Sequence, residues 1–258
     1  MDRITAVSAV SVIFFVISVI FVFLPLGNLP YYFSILPQFP LILLMVHSTF
    51  RTYKILAESQ TPEKNLWIMF LFGAISTLVG EALYLIGNIS KPISMNAILA
   101  STLFMLLAYA LFIIGLWRVS IHVRNVGNKK LYYLPAAIIF VVIAALGALL
   151  FFQMIKANTE GLLMATFLGY LIPDFFLLAT SATVVTRTWG GKLFSTYIMY
   201  GIGCLLLAAY QIWASFLIVS NAQVYDNPIQ MIFMAALCAF TIGSDVRYKT
   251  EFQLMKGI

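Results

Sequence analysis

Uncharged apolar runs of about 20 residues recur along the chain, each long enough to cross the hydrocarbon of a bilayer as a helix. The composition agrees. Of 258 residues, 62% are hydrophobic and 9% are charged, whereas a soluble domain carries about 25% charged residues. The first run, residues 4–26, is longer than a signal-peptide core and is followed by no small-x-small cleavage site, so it reads as a retained helix. Cys204 and Cys238 both fall inside apolar runs and read as small buried hydrophobes, which excludes a disulfide framework or a cysteine-based metal site. The longest polar stretch is loop-sized, so a single transmembrane domain over residues 1–258 is expected, with no soluble domain.

Eight helices are expected, over residues 4–26, 32–57, 65–88, 95–122, 131–156, 161–187, 193–220 and 228–247, separated by turn-forming pairs such as Gly27-Asn28, Thr61-Pro62, Gly190-Gly191 and Asn227-Pro228. The fold class is therefore all-α: a polytopic integral membrane helix bundle of about eight transmembrane helices. The count drops to seven if the second span is re-entrant, because Pro30, Pro37 and Pro40 crowd its first half and Arg51 and Lys54 lie in its second. Placing the termini and the loops after spans 2, 4 and 6 on one side puts thirteen of the 15 Lys and Arg residues there, leaving only Lys91 and Lys156 opposite. The positive-inside rule then makes both termini cytoplasmic in a multi-pass cell-membrane protein. The net charge of +6 is accounted for by anionic lipid at that face, the densest basic loop being "RVSIHVRNVGNKK", and calls for no nucleic acid. Trp67, Trp117, Trp189, Tyr31, Tyr132 and Tyr225 fall near span ends as interface anchors.

Two acids lie well inside the spans, Glu81 in the third and Asp174 in the sixth. An ionisable group in hydrocarbon costs about 2.5–3.5 kcal/mol on insertion scales and persists where it faces the bundle interior, a polar cavity or a hydrogen-bond partner. Tyr84 shares a helix face with Glu81, and Tyr170 shares one with Asp174. At about 1.5 Å per residue, Glu81 lies roughly 10 Å and Asp174 roughly 20 Å from the outer helix end, so the two need not touch. Pro173 removes a backbone bond to the Gly169 carbonyl and is expected to kink the span beside Asp174. The plain structural alternative is that each acid is a satisfied group fixing helix packing. Tyr109, Tyr210 and Gln211 are the further candidates for a ligand site, and His47 and Gln153 could join them. With His47 and His122 the only histidines, and the latter at a helix end among basic residues, haem is not expected. No mid-membrane lysine suits a retinal Schiff base, and no nucleotide loop, zinc pattern or nucleophile elbow is present, so no cofactor, metal or catalytic residue is assigned. Ser8, Ser11 and Ser18 in span 1, and Ala144, Ala145, Gly147 and Ala148 in span 5, are expected to permit close helix packing.

In order along the chain, "LVGEALYLIGN", "LFMLLAYALFIIGLWRV", "GYLIPDFFLLATSATVV" and "LLLAAYQIWASF" together resemble the multi-span membrane sensor regions that precede diguanylate cyclase and other bacterial signalling modules. Gly80-Glu81 with Tyr84, Ala108-Tyr109 with Gly115-Leu116, and Tyr170, Pro173 and Asp174 occupy the places of that pattern. Glu stands at 81 where such regions carry Asp, Pro173 directly precedes Asp174, and Tyr210 stands where another Asp is frequent. The resemblance implies a sensor that acts through a membrane or signalling partner, since no output domain follows "RYKTEFQLMKGI". Spans 3–4 and 7–8 also share a faint pattern compatible with an internal duplication.

Three functions remain open from the sequence. A receptor-like or complex-subunit protein would bind a small ligand, lipid or partner between its helices. A proton- or cation-coupled secondary transporter would use Glu81 or Asp174. An intramembrane enzyme acting on lipids would use the same two residues as acid and base; the layout loosely resembles eight-span lipid hydrolases, but no activated nucleophile or metal cluster accompanies it.

Overall fold

The structure, a computed structural model, describes residues 3–23, 36–89, 94–122, 134–156, 161–219 and 229–257. Among these the chain is all-helical: α1 (Arg3–Phe23), α2 (Gln38–Glu58), α3 (Lys64–Ile89), α4 (Met95–His122), α5 (Leu134–Lys156), α6 (Gly161–Thr188), α7 (Phe194–Val219) and α8 (Gln230–Lys256). Five of them, α3, α4, α6, α7 and α8, are long and apolar enough to cross a membrane, and α1 and α5 contribute the shorter apolar helices Ala6–Ile20 and Ala144–Lys156. Large apolar side chains such as Ile13, Leu103, Val141, Phe152 and Leu205 are exposed on the outside of the bundle, the inverse of a water-facing surface and suited to lipid. The expected interface anchors Tyr31, Tyr132 and Tyr225 lie outside the described residues. Trp117 and Trp189 are exposed at helix ends as an anchor requires, but Trp67 is fully buried, edge-on to Phe70 and Tyr200.

The second helix owes its polarity to a partner. Pro37 is its N-cap and Pro40 falls in its first turn, where the missing N–H costs no helical bond, so these prolines start the helix and do not kink it. Its polar face is then spent on α8. Thr52 Oγ1 donates to the Ser244 carbonyl at 2.7 Å, Ser48 Oγ donates to the Thr241 carbonyl at 3.3 Å, and the Thr49 and Ser244 hydroxyls meet at 3.2 Å. Arg51 lies over the Tyr248 ring at 4.3 Å and 4.0 Å from Asp245, which also accepts the Ser8 hydroxyl at 2.7 Å.

The helix order conceals a repeat. Each of α3, α4, α7 and α8 carries an aromatic residue three positions before a glycine: "FLFG" at Phe70, "FIIG" at Phe112, "YGIG" at Tyr200 and "FTIG" at Phe240. At that spacing the ring and the glycine share a helix face, and within each antiparallel pair each ring sits on the partner's glycine. A Cβ on Gly73 would lie 3.2 Å from Phe112 and one on Gly115 would lie 2.5 Å from Phe70. One on Gly203 would lie 2.8 Å from Phe240, and one on Gly243 would lie 2.8 Å from Tyr200. The four rings close a circuit, Phe70 to Phe112 at 6.0 Å, Phe112 to Phe240 at 5.4 Å, Phe240 to Tyr200 at 5.4 Å and Tyr200 to Phe70 at 5.0 Å.

Packing outside this quartet follows the same two-fold scheme: α2 packs against α3 and α8, while α6 packs against α7 and α4. The residue numbers of Trp67 and Tyr197, Phe70 and Tyr200, Gly73 and Gly203, and Glu81 and Gln211 all differ by 130. So do those of the two left-handed turn residues that precede α3 and α7, Gln60 (φ 52) and Gly190 (φ 75). Equivalent helices run in the same direction, because Phe70 meets Tyr200 near one end of the bundle and Glu81 faces Tyr210 toward the other. The faint duplication of spans 3–4 and 7–8 therefore has a structural counterpart, although the residues that carry it are the aromatic–glycine pairs. The outermost helices depart from the scheme: α1 covers α8, but α5 rests on α6 and touches α7. Of the small residues in α5 only Gly147 is buried, against Leu171, while Ala144, Ala145 and Ala148 face outward.

Candidate functional site

We call the end of the bundle that holds the start of α1 and the end of α8 the near end, and the opposite one the far end. The aromatic quartet fills the near half. Polar side chains occupy the far half, contributed by six helices.

Asp174 sits halfway along α6 and is 1% exposed. Neither of its carboxyl oxygens, nor the hydroxyl of Tyr109 on α4, has a hydrogen-bond partner of normal geometry among the described residues. The two groups nonetheless face one another, and Tyr109 also faces Gln211 on α7. Tyr170, one turn before Asp174, packs its ring against that of Tyr109 at 6.1 Å with the planes inclined by 61°. Its phenol lies within electrostatic reach of both Asp174 and Glu81 and faces Thr102 on α4. Glu81, half-buried on α3, in turn acts on Tyr210. From Tyr210 a chain of hydrogen bonds leads to the far end. Gln230, the first residue of α8, donates Nε2 to Tyr210 Oη at 3.4 Å, and Gln38, the first residue of α2, donates Nε2 to Gln230 Oε1 at 2.6 Å. The Tyr210 ring lies 5.2 Å from Phe233.

Six of the seven residues expected from the sequence, Glu81, Tyr109, Tyr170, Asp174, Tyr210 and Gln211, thus belong to one polar cluster. Tyr84 is half-buried one turn along α3, where its carbonyl accepts Asn88 Nδ2 at 2.7 Å. Tyr170 lies within electrostatic range of both acids, which do not touch each other through any hydrogen bond among the described residues. α6 continues through Pro173 as one helix from Gly161 to Thr188, so the proline lies inside the span and does not divide it. His47 and Gln153 face outward and do not join the cluster. Gln38, Gln230 and Thr102 do, and were not expected. The two glutamines carry a readable signal, because each opens a helix shortly after a proline in a chain with little polarity to spare. Cys204 faces Ser181 and lies within electrostatic range of Asp174.

The near end holds charge that the sequence placed outside the bundle. The last helix was expected to stop at 247 and runs to Lys256, and Asp245, Arg247 and Glu251 on it are buried, as Asp174 is. Arg247 donates Nε and Nη2 to Glu63 Oε2 at 3.1 and 3.0 Å, and Nη1 to Glu251 Oε2 at 2.9 Å. Glu251 also accepts the Thr61 hydroxyl at 3.0 Å. This cluster ties α8 to the turn between α2 and α3. Arg187 near the end of α6 donates to the Ser120 carbonyl of α4.

The far-half cluster therefore holds two carboxyls, three phenols and three amides. No group of three His, Cys, Asp or Glu side chains among the described residues could hold a metal ion. The chain matches no family model, no curated protein and no solved structure.

Proposed function

We propose that this protein is a receptor-like membrane protein or complex subunit that binds a lipid or small ligand at the far-half polar cluster. The observation that carries this reading is the pair of buried polar groups, Asp174 and Tyr109, that face one another but lack hydrogen-bond partners of normal geometry among the described residues. Buried polar groups are nearly always hydrogen-bonded, and a buried carboxyl without a well-formed partner carries a desolvation cost. A ligand that bonds to them restores what burial removes. The resemblance to membrane sensor regions points the same way.

The eight helices cross the cell membrane in this reading, with α2 screened from lipid along its polar face by α8. Both termini are cytoplasmic, so the polar cluster lies in the outer half and the near-end cluster of Arg247, Glu63 and Glu251 faces the cytoplasm, where a signalling partner would dock. The concentration of thirteen of the 15 basic residues on one side supports this orientation. A C-terminal fluorescent-protein fusion is expected to fluoresce and a C-terminal alkaline phosphatase fusion to be inactive. The opposite pair of results would reverse the orientation.

Asp174→Asn and Glu81→Gln are each expected to weaken retention of the co-purifying ligand by about tenfold, the effect of losing one charge-assisted hydrogen bond. Mass spectrometry of lipids and small molecules bound to the purified protein and its variants checks this. Retention unchanged in both variants would remove the polar cluster as the site.

A second reading is favoured by Tyr170, which lies within electrostatic range of both acids. Two carboxyls in one buried polar region can act as general acid and base on a bound lipid. Appearance of a cleaved lipid in liposomes that contain only this protein would select this reading. Uptake driven by a proton or cation gradient would select transport instead, for which parallel repeats of the kind seen here are one known plan. Neither result is expected if the protein only binds.

A further inference from the structure

α5 presses on one neighbour and stands off from another. Gly147 lets it approach α6, where a Cβ would lie 2.5 Å from Leu171. Beside this contact α7 presents two alanines in succession, Ala208 and Ala209, and a groove of about 570 Å³ remains between α5, α6 and α7. Volumes of about 300–1,000 Å³ are typical of ligand sites. The walls are apolar apart from Gln153, so water gains few partners there. Hydrocarbon that fills the groove recovers dispersion contacts that a void would forfeit.

The groove has a length and a direction. It runs along α5 from Val142 to Gln153 and along α7 from Leu205 to Phe216, roughly 16 Å at 1.5 Å per residue. The hydrocarbon of a bilayer is about 30 Å thick, so the groove has the depth of one leaflet. Its deep end lies near mid-bundle at Leu178 and Leu205, where a smaller cleft of about 260 Å³ continues between α6 and α7. The other end carries the polarity. Gln153 stands in the last turn of α5, and Lys156 ends that helix at the far end, exposed and on the same helix face.

An apolar slot one leaflet deep with a cation at its mouth fits an amphiphile with a hydrocarbon chain and an anionic head. A lysine at a helix end extends its ammonium to the headgroup level, where it forms a charge-assisted hydrogen bond with a phosphate oxygen, and the Gln153 amide adds two donors. We propose that the groove binds one phospholipid of the far leaflet, with an acyl chain between α5 and α7 and its phosphate at Lys156 and Gln153. The site is separate from the polar cluster and stands whether or not that cluster holds a ligand.

The test is native mass spectrometry of the full chain in detergent, titrated with dioleoylphosphatidylglycerol and with dioleoylglycerol, which has the same chains and no phosphate. The first phospholipid adduct is expected at about tenfold lower concentration than the first dioleoylglycerol adduct, as one charge-assisted hydrogen bond requires. Lys156→Met, which keeps the bulk and removes the charge, should abolish most of that preference. Ala209→Phe puts a ring into the groove from an exposed position and should remove the first adduct of either lipid. Leu103→Phe, exposed on α4 away from the groove, should leave both adducts unchanged. Each variant is first checked for helical circular dichroism and a single elution peak. Should Ala209→Phe fail that check, Leu149→Trp, at a groove position that is 62% exposed, carries the test.

Equal affinity for the two lipids, with both lost in Ala209→Phe, would overturn the phospholipid assignment and leave a slot for hydrocarbon alone. Equal losses in Ala209→Phe and Leu103→Phe would reduce the adducts to a general lipid coat and overturn the site. So would the absence of any adduct. Retention that depends on Asp174 and Glu81 but not on Ala209 would overturn the groove and uphold the polar cluster. Retention that depends on Ala209 and Lys156 but on neither acid would do the reverse.

Discussion

Replacing Arg247 by methionine is expected to lower the stability of the folded bundle by about 3 kcal/mol, among the largest effects of any single substitution here. The guanidinium is almost fully buried and uses Nε, Nη1 and Nη2 on two carboxylates at 2.9–3.1 Å. Methionine has similar bulk but no charge, so its main effect is to leave Glu63 and Glu251 facing each other without a cation. Removing one partner of a buried pair costs far more than the pair itself contributes, because the survivor keeps its desolvation penalty. The expected pattern in a thermal or denaturant melt is therefore a large loss for Arg247→Met and a partial recovery when Glu63→Gln and Glu251→Gln are added. Glu63 retains some contact with solvent, 18% of its side chain, so Glu251→Gln should account for the greater part of the recovery. A triple variant no more stable than Arg247→Met alone would mean that the cluster acts through packing and not through charge.

The second large effect is expected at the aromatic quartet. Gly115→Val places a branched side chain where even a Cβ would lie 2.5 Å from the Phe70 ring, and Gly243→Val does so 2.8 Å from Tyr200. Overpacking of this kind costs about 1–3 kcal/mol, and in a membrane bundle, where close backbone approach drives helix association, it also separates the helices. The two sites differ in a way that tests the geometry. At Gly115 the three nearest atoms all belong to the Phe70 ring, whereas at Gly243 the Thr196 carbonyl also lies 3.1 Å away. Trimming the ring should therefore rescue the first variant better than the second: Phe70→Ala added to Gly115→Val restores more of the melting temperature than Tyr200→Ala added to Gly243→Val. Equal rescue would show that backbone contact at Gly243 is unimportant.

The quartet also shows where sequence reading stopped. Helix positions were legible because hydropathy is a local sum. A run of apolar side chains lowers its free energy in lipid whatever its neighbours do, so the third, fourth, sixth and seventh spans were located to within a few residues. The end of α8 was misplaced because Asp245, Arg247 and Glu251 look like a solvated tail until partners from α1, α2 and the turn before α3 are brought to them. Trp67 looked like an interface anchor for the same reason: its position near a helix end is visible in the sequence, but its burial between Phe70 and Tyr200 is not.

The candidate site divides along the same line. That Glu81 and Asp174 need company follows from the cost of a carboxyl in hydrocarbon, and a tyrosine on the same face of each helix supplied part of it. That both acids lie within electrostatic range of one phenol, and that Gln38 and Gln230 extend the path to the far end, depends on the rotation of helices whose contacting residues lie up to 192 positions apart in the chain. The sequence by itself determined a helical membrane bundle and the depth of its polar residues, because both follow from the transfer of each segment out of water. Only the tertiary structure decided which polar residues meet, and that Glu63, Glu251 and Asp245 of the near half are paired with Arg247 and Arg51, because pairing depends on distances between helices.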